Sequence, residues 1–401
     1  MASGTVLIGL SGYLFLVVVG RRAIGPAAAA LASLYLATNI LGPGLFVAIE
    51  QETSRLTSRA LADGRGLTAI ARRTAAAATV LAAVTLIVLA VTGPLLPQVL
   101  RNTGLVLALG LSVVGSAAVF WVRGLAAGQR RFHRYAVTLM VDAGVRILGC
   151  AGLALLDVDE PLAYALALSG GPLAAAILTV RGVVPAAGRP QPDPPPSRPT
   201  LARSVTTLLV SSGIAMTLAN LAPVVVTAAL PGTPALAFAF AAGLVLTRAP
   251  LLLIAPVQAV LLPRFTGADA RGDLARFRRE LRRGLLAVAA VAGLGAAGWG
   301  LLGRSAMRIV YGAGADLLPT ATLMLLAVGA GLLMTISLVQ PALVALGSPA
   351  GMALGWVCGA AAFGLSFLLP LDPIDRAVAA QLAGPAVTLL VQAQILRHRI
   401  R

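Results

Sequence analysis

The chain has 401 residues, of which 58% are hydrophobic and 11% charged, with a mean hydropathy of +0.92. Soluble proteins carry close to a quarter charged residues, so this composition excludes an ordinary soluble domain and marks a polytopic membrane protein. The net charge of +17 comes entirely from arginine, for the chain has no lysine, which excludes a P-loop, a Schiff-base lysine and pyridoxal-phosphate chemistry.

A hydrocarbon core of about 30 Å takes about 20 apolar residues per helix, and runs of that length predict twelve spans. In chain order they lie at about 4–20, 27–49, 75–97, 104–122, 136–156, 161–181, 204–229, 235–262, 284–303, 317–346, 349–370 and 375–396. The first run lacks a basic segment before it and is followed by Arg21 and Arg22, so it reads as a retained helix rather than a cleaved signal. With the N-terminus inside, 23 arginines, Arg123 among them, fall in connections on the cytoplasmic side. Six fall outside: Arg21, Arg22, Arg101, Arg304, Arg308 and Arg376. That bias places both termini in the cytoplasm of a cell bounded by the plasma membrane. Arginines spaced between apolar runs, rather than gathered on one face, also argue against nucleic acid as a partner.

Between spans six and seven, VPAAGRPQPDPPPSRPT carries seven prolines and predicts an extended cytoplasmic linker over 184–200. It separates an N-terminal lobe, 1–183, from a C-terminal lobe, 201–401, with six spans each. The lobes echo one another at an offset of about 206 residues: GRGLTAIARRT from Gly64 lies on ARGDLARFRRE from Ala270, and LGPG at Leu41 lies on TRAP at Thr247. Six spans per lobe give both the same orientation, so the expected fold is all-α and integral to the membrane, with a pseudo-twofold axis along the membrane normal.

Charged side chains in mid-span cost about 2.5–3.5 kcal/mol on insertion scales, so they face a cavity or a partner. Two arginines qualify. Arg146 stands four residues after Asp142 on one helical face, as a neutralising pair or as a site. Arg248 has Leu244, Val245, Leu251 and Leu252 at the neighbouring helical positions and so no local counter-ion. Asn39 and Asn220 are polar groups in apolar runs close to Pro43 and Pro223, where interhelical hydrogen bonds or hinges are expected. In GLFVAIEQETSR, Glu52 and Arg55 are i, i+3 neighbours that should pair where span two leaves the bilayer. Glu50 points roughly 200° away from Glu52 and is the one candidate there for a cavity residue. The stretch from Ala268 to Leu286 places Leu274, Phe277 and Leu281 on one stripe among arginines, a pattern suited to lying along anionic headgroups or to fixing topology alone.

Cys150 and Cys358 lie in apolar segments and imply neither a disulfide nor a reactive thiol. His133 and His398 are isolated, so no metal site follows. Asp157, Asp159 and Glu160 cluster without a nearby histidine or nucleophile, and no catalytic residue is assigned.

Two stretches resemble a known family. VVGRRAIGPAAAALA, from Val18, resembles the end of helix one in the multidrug/oligosaccharidyl-lipid/polysaccharide (MOP) exporter superfamily, where Arg-x-Leu-Gly-Pro leads into helix two. IVYGAGADLLPTATLMLLAVG, from Ile309, resembles that superfamily's tyrosine-glycine segment before helix ten. The resemblance implies a MATE-like fold and a flippase moving polyprenyl-diphosphate-linked oligosaccharides by alternating access, nearest to the bacterial polysaccharide-biosynthesis flippases. It implies that Arg21 and Arg22 meet the pyrophosphate, and that polysaccharide-assembly glycosyltransferases or a polymerase are partners. The absence of helices thirteen and fourteen counts against the peptidoglycan-precursor subgroup. Competing readings are a drug antiporter of the same superfamily coupled to H+ or Na+, a membrane polymerase or ligase, and a non-transporting scaffold.

Overall fold

A computed structural model describes residues 2–23, 25–93, 97–100, 102–183, 198–254, 265, 273–312, 316–346 and 348–400. The first helices are α1 (Ala2–Arg22), α2 (Pro26–Leu41), α3 (Pro43–Ala62), α4 (Thr68–Thr92), α5 (Thr103–Gly128), α6 (Phe132–Leu155) and α7 (Pro161–Thr179). They are followed by α8 (Arg198–Ala229), α9 (Pro234–Thr247), α10 (Leu274–Tyr311), α11 (Thr320–Ala345), α12 (Pro349–Ser366) and α13 (Pro373–Arg399). Among the described residues, ten helical segments, with α2 and α3 counted as one, are long and apolar enough to cross a membrane. Together with α1 and the shorter α12 they follow the predicted order of twelve.

Local sequence explains where helices begin. Proline opens α2, α3, α7, α9, α12 and α13, at a position whose missing N–H has no intrahelical partner to lose. Asn102 caps α5 by accepting from the Gly104 amide at 2.7 Å, and Asp273 caps α10 by accepting from the Arg276 amide at 2.9 Å. Threonine hydroxyls inside apolar helices donate back to carbonyls, as Thr74 does to Ile70 and Thr85 to Leu81, so they need no water.

The helices form two compact units, Met1–Asn220 and Leu221–Arg401, with the division inside α8. Most of the proline-rich segment expected as the divider, 184–197, lies outside the described residues. In the first unit, Phe46 and Ile49 of α3 pack with Val113, Val119 and Phe120 of α5. Gly124 and Gly128 of α5 permit a close approach: a methyl group on either would lie within 2.8 Å of Glu50 or Ser54 carbonyls and of Thr53 or Thr57 side chains. This small-residue spacing is the membrane device for bringing two backbones together. In the second unit, Phe277 and Leu281 of α10 pack with Leu338 and Leu343 of α11 and Leu396 of α13.

Four predicted boundaries move. Span two breaks at Gly42 and Pro43 and then continues as α3 to Ala62, because Leu56 and Ala60 still bury an apolar face against Ile70. Span four continues to Gly128, which takes Arg123 inside the helix rather than into a cytoplasmic connection. Span eight is not one helix: α9 stops at Thr247 and a 3-10 turn covers Ala249–Leu253, since Pro250 can neither donate to the preceding turn nor fit its ring there. The basic stretch after Asp273 is the start of a 38-residue helix, α10, roughly 57 Å long. Its stripe residues Phe277 and Leu281 are buried in the protein core instead of lying on headgroups, with the Phe277 ring 5.0 Å from that of Phe265.

Candidate functional site

The charged interior of the N-terminal unit is built on α3, α5, α6 and α7. On α6, Tyr135, Thr138, Asp142 and Arg146 fall three to four residues apart and so share one face. Arg123, near the end of α5, reaches that face. Its Nη2 donates to Asp142 Oδ2 at 2.9 Å, its Nε donates to Thr138 Oγ1 at 3.2 Å, and its guanidinium lies 5.4 Å from the centre of the Phe120 ring. Arg146 Nε lies 2.8 Å from the other Asp142 oxygen. Asp142 is therefore clamped between two guanidiniums at 2% exposure, where an unpaired charge would not survive. Gly171 of α7 makes room, since a methyl group there would lie 2.7 Å from Asp142 Oδ1.

Glu50 of α3 completes the cluster. Its Oε1 accepts from the Tyr135 hydroxyl at 2.8 Å, and Arg123 exerts its field on the carboxylate. The two acids thus differ: Asp142 is held by two cations, and Glu50 is held in direct contact by a neutral hydroxyl. A carboxyl and a phenol can exchange donor and acceptor roles, so a proton can reside at Glu50 with the bond to Tyr135 retained.

The sequence pointed to Asp142, Arg146 and Glu50 but not to Arg123, Tyr135 or Thr138. The remaining candidates lie elsewhere. Glu52 pairs with Arg55 as the i, i+3 spacing requires, with Arg55 Nε 2.7 Å from Glu52 Oε2. Glu52 is 1% exposed inside α3, which continues to Ala62. Asn39 and Asn220 donate to carbonyls one turn back on their own helices, Tyr35 and Met216, each at 2.9 Å, rather than across helices. Arg22 binds Asp157 at 2.5 Å and the Ala154 carbonyl, so it holds the C-terminal end of α6, where carbonyls lack intrahelical donors. Arg21 is exposed beside it. Arg248 follows the last residue of α9, half-buried, and its Nη2 donates to Gln381 Oε1 of α13 at 2.9 Å. This contact is to a neutral amide from another helix.

At the opposite end of α10 from Asp273, Arg308 binds Asp316 at 2.5 Å, and this hydrogen bond holds the Asp316 carboxyl below the usual carboxylate range. Among the described residues no group of three His, Cys, Asp or Glu side chains is placed to hold a metal ion.

No protein-family model matches the sequence. The chain is similar to the uncharacterized Mycobacterium tuberculosis protein Rv1510, 28% identical over 338 residues, which cover 78% of this chain and 72% of that one. It is also similar to the uncharacterized Mycobacterium bovis protein Mb3654, 26% identical over 284 residues, covering 70% and 63%. Among solved structures, an inward-facing multidrug-resistance MATE transporter of the MOP superfamily superposes with a TM-score of 0.74 at 13% identity, covering 100% of this chain and 98% of that one. The lipid II flippase MurJ in an inward closed conformation gives 0.70 at 11%, covering 98% and 86%. A point mutant of the Vibrio cholerae MATE transporter VcmN gives 0.67 at 14%, covering 99% and 95%. At such identities the shared property is architecture, and the chain is a multi-pass, helical membrane protein with the fold seen in those MATE transporters and in MurJ.

Proposed function

We propose that the protein is a flippase that moves a polyprenyl-diphosphate-linked oligosaccharide across the cytoplasmic membrane for cell-envelope polysaccharide assembly. The observation that carries this reading is that each unit holds an oriented arginine within its helices. Arg146 Nε lies 2.8 Å from Asp142 Oδ1 in an ion pair, and Arg248 Nη2 donates to Gln381 Oε1 at 2.9 Å. A guanidinium presents its donors in a planar fork, and a diphosphate is the anion that such a fork binds bidentately. Full-length similarity in fold to a lipid II flippase supports the same class of substrate. In this reading the diphosphate and sugars cross on the protein interior while the polyprenyl tail stays in lipid, and both termini face the cytoplasm. Basic connections rest on anionic lipids, and the polysaccharide glycosyltransferases or polymerase act before and after it.

A second reading, an H+- or Na+-coupled antiporter for small molecules, is favoured by Glu50 and Tyr135, which form a protonatable pair next to a charge cluster. The two readings combine if proton uptake at Glu50 drives the flippase. The test compares Arg248→Ala and Arg248→Lys in a flippase-null strain at matched expression. Loss of rescue by alanine with partial rescue by lysine is expected. Full rescue by alanine would remove Arg248 from the mechanism.

A further inference from the structure

Between α4 and α5 the N-terminal unit carries an apolar groove that its own side chains leave unfilled. Ala75, Ala78 and Ala82 of α4 face Ala117, Ala118 and Trp121 of α5 across a cavity of about 420 Å³. Leu86 and Val114 close it, and beyond them a second groove of about 560 Å³ runs on towards Gly93 and Thr103. The first groove's polar atoms are occupied. Thr79 donates to the Ala75 carbonyl at 3.0 Å, and the Trp121 indole donates to the Ala71 carbonyl and the Thr74 hydroxyl, each at 3.1 Å. A wall of this kind offers dispersion contacts and nothing else, and in a bilayer the filler is a hydrocarbon chain.

Depth and charge narrow the occupant. From Ala75 to Leu86 the helix rises about 16 Å, half of the roughly 30 Å hydrocarbon core, so the first groove is one leaflet deep. The stripe of α4 that lines it, Leu86, Ala82, Thr79 and Ala75, continues at the same three- and four-residue spacing to Arg72, which is exposed. Val180, at the end of the α7 segment, packs on the same cluster as Trp121 and is followed by the exposed Arg181. Trp121, whose indole donates to the carbonyl of Ala71, the residue before Arg72, is of the type that settles beside headgroups.

We infer that the groove between α4 and α5 binds one acyl chain of an anionic phospholipid from the leaflet on the Arg72 side, with its phosphate on Arg72. This lipid site is separate from the charge cluster and independent of what the protein transports. The full-length protein is delipidated in detergent and offered phosphatidylglycerol or phosphatidylcholine carrying a photoreactive acyl chain, and the crosslinked peptides are mapped. Crosslinks on α4 and α5 are expected, with phosphatidylglycerol preferred. Arg72→Gln, an exposed position that does not disturb packing, should lower that preference about five-fold, the factor for one basic residue at a membrane surface. Ala82→Trp should fill the groove and remove the α4 and α5 crosslinks while leaving others. Equal labelling by the two lipids, crosslinks unchanged in Ala82→Trp, or displacement of phosphatidylglycerol by an equal concentration of polyprenyl phosphate would each overturn the assignment.

Discussion

Both units break a helix at positions 206 residues apart in sequence, yet they surround those breaks with different chemistry. In the N-terminal unit α2 gives way to α3 at Gly42 and Pro43, and α3 then brings Glu50 to a cluster of Tyr135, Arg123, Asp142 and Arg146. In the C-terminal unit α9 ends ahead of Pro250, Arg248 meets an amide, and the buried polar side chains of α13 are neutral: Gln381, Thr388 and Gln392. Each break coincides with a proline, Pro43 or Pro250, that has no N–H to give to the turn before it, so the break can be kept while the electrostatics around it diverge. Among the described residues, the first unit gathers paired acids and arginines, and the second sets Arg248 against a neutral amide.

The sharpest way to break this comparison is Asp142→Asn. The change leaves Arg123 and Arg146 facing each other without their carboxylate and should cost about 3–5 kcal/mol, read as a lowered thermal unfolding midpoint in detergent. Adding Arg123→Gln to that variant should recover part of the loss. Gln381→Ala in the second unit removes the hydrogen bond from Arg248 and should cost less, about 1.5 kcal/mol for a bond to a charged group, by the same measurement. Equal losses at the two sites would erase the distinction between the units.

The smallest effect belongs to Asp316, outside the spans. Because Arg308 holds its carboxyl below the ordinary value, the pair adds stability above the usual carboxylate range and loses it as pH falls through the lowered value. Asp316→Asn should flatten that acid limb in a pH-dependent melting series and change little at neutral pH.

Periodicity and proline made much of this legible in advance. Runs of about 20 apolar residues located the helices, and LGPG and TRAP, 206 residues apart, lie where the structure breaks two spans that read as continuous. Spacing alone paired Asp142 with Arg146 and Glu52 with Arg55. Arg123 escaped because an arginine at the end of an apolar run reads as a topological signal. The overlooked clue was GLAAG, Gly124 to Gly128, whose two glycines four apart signal that the helix continues and packs closely. The contact between Glu50 and Tyr135 spans 85 residues and leaves no local trace. Asn39 and Asn220 were misjudged because a carbonyl one turn back is always within reach of an asparagine amide, so a partner helix is not required.

The most direct test places the protein in liposomes with a fluorescent polyprenyl-diphosphate sugar and an imposed proton gradient. The wild-type chain should carry the lipid between leaflets faster when the gradient is present. Glu50→Gln, which keeps a hydrogen-bonding group beside Tyr135 but cannot ionise, should retain basal movement and lose the acceleration. Wild-type liposomes that move no lipid-diphosphate sugar, or a Glu50→Gln variant that answers the gradient as wild type does, would contradict a flippase driven through the N-terminal charge cluster.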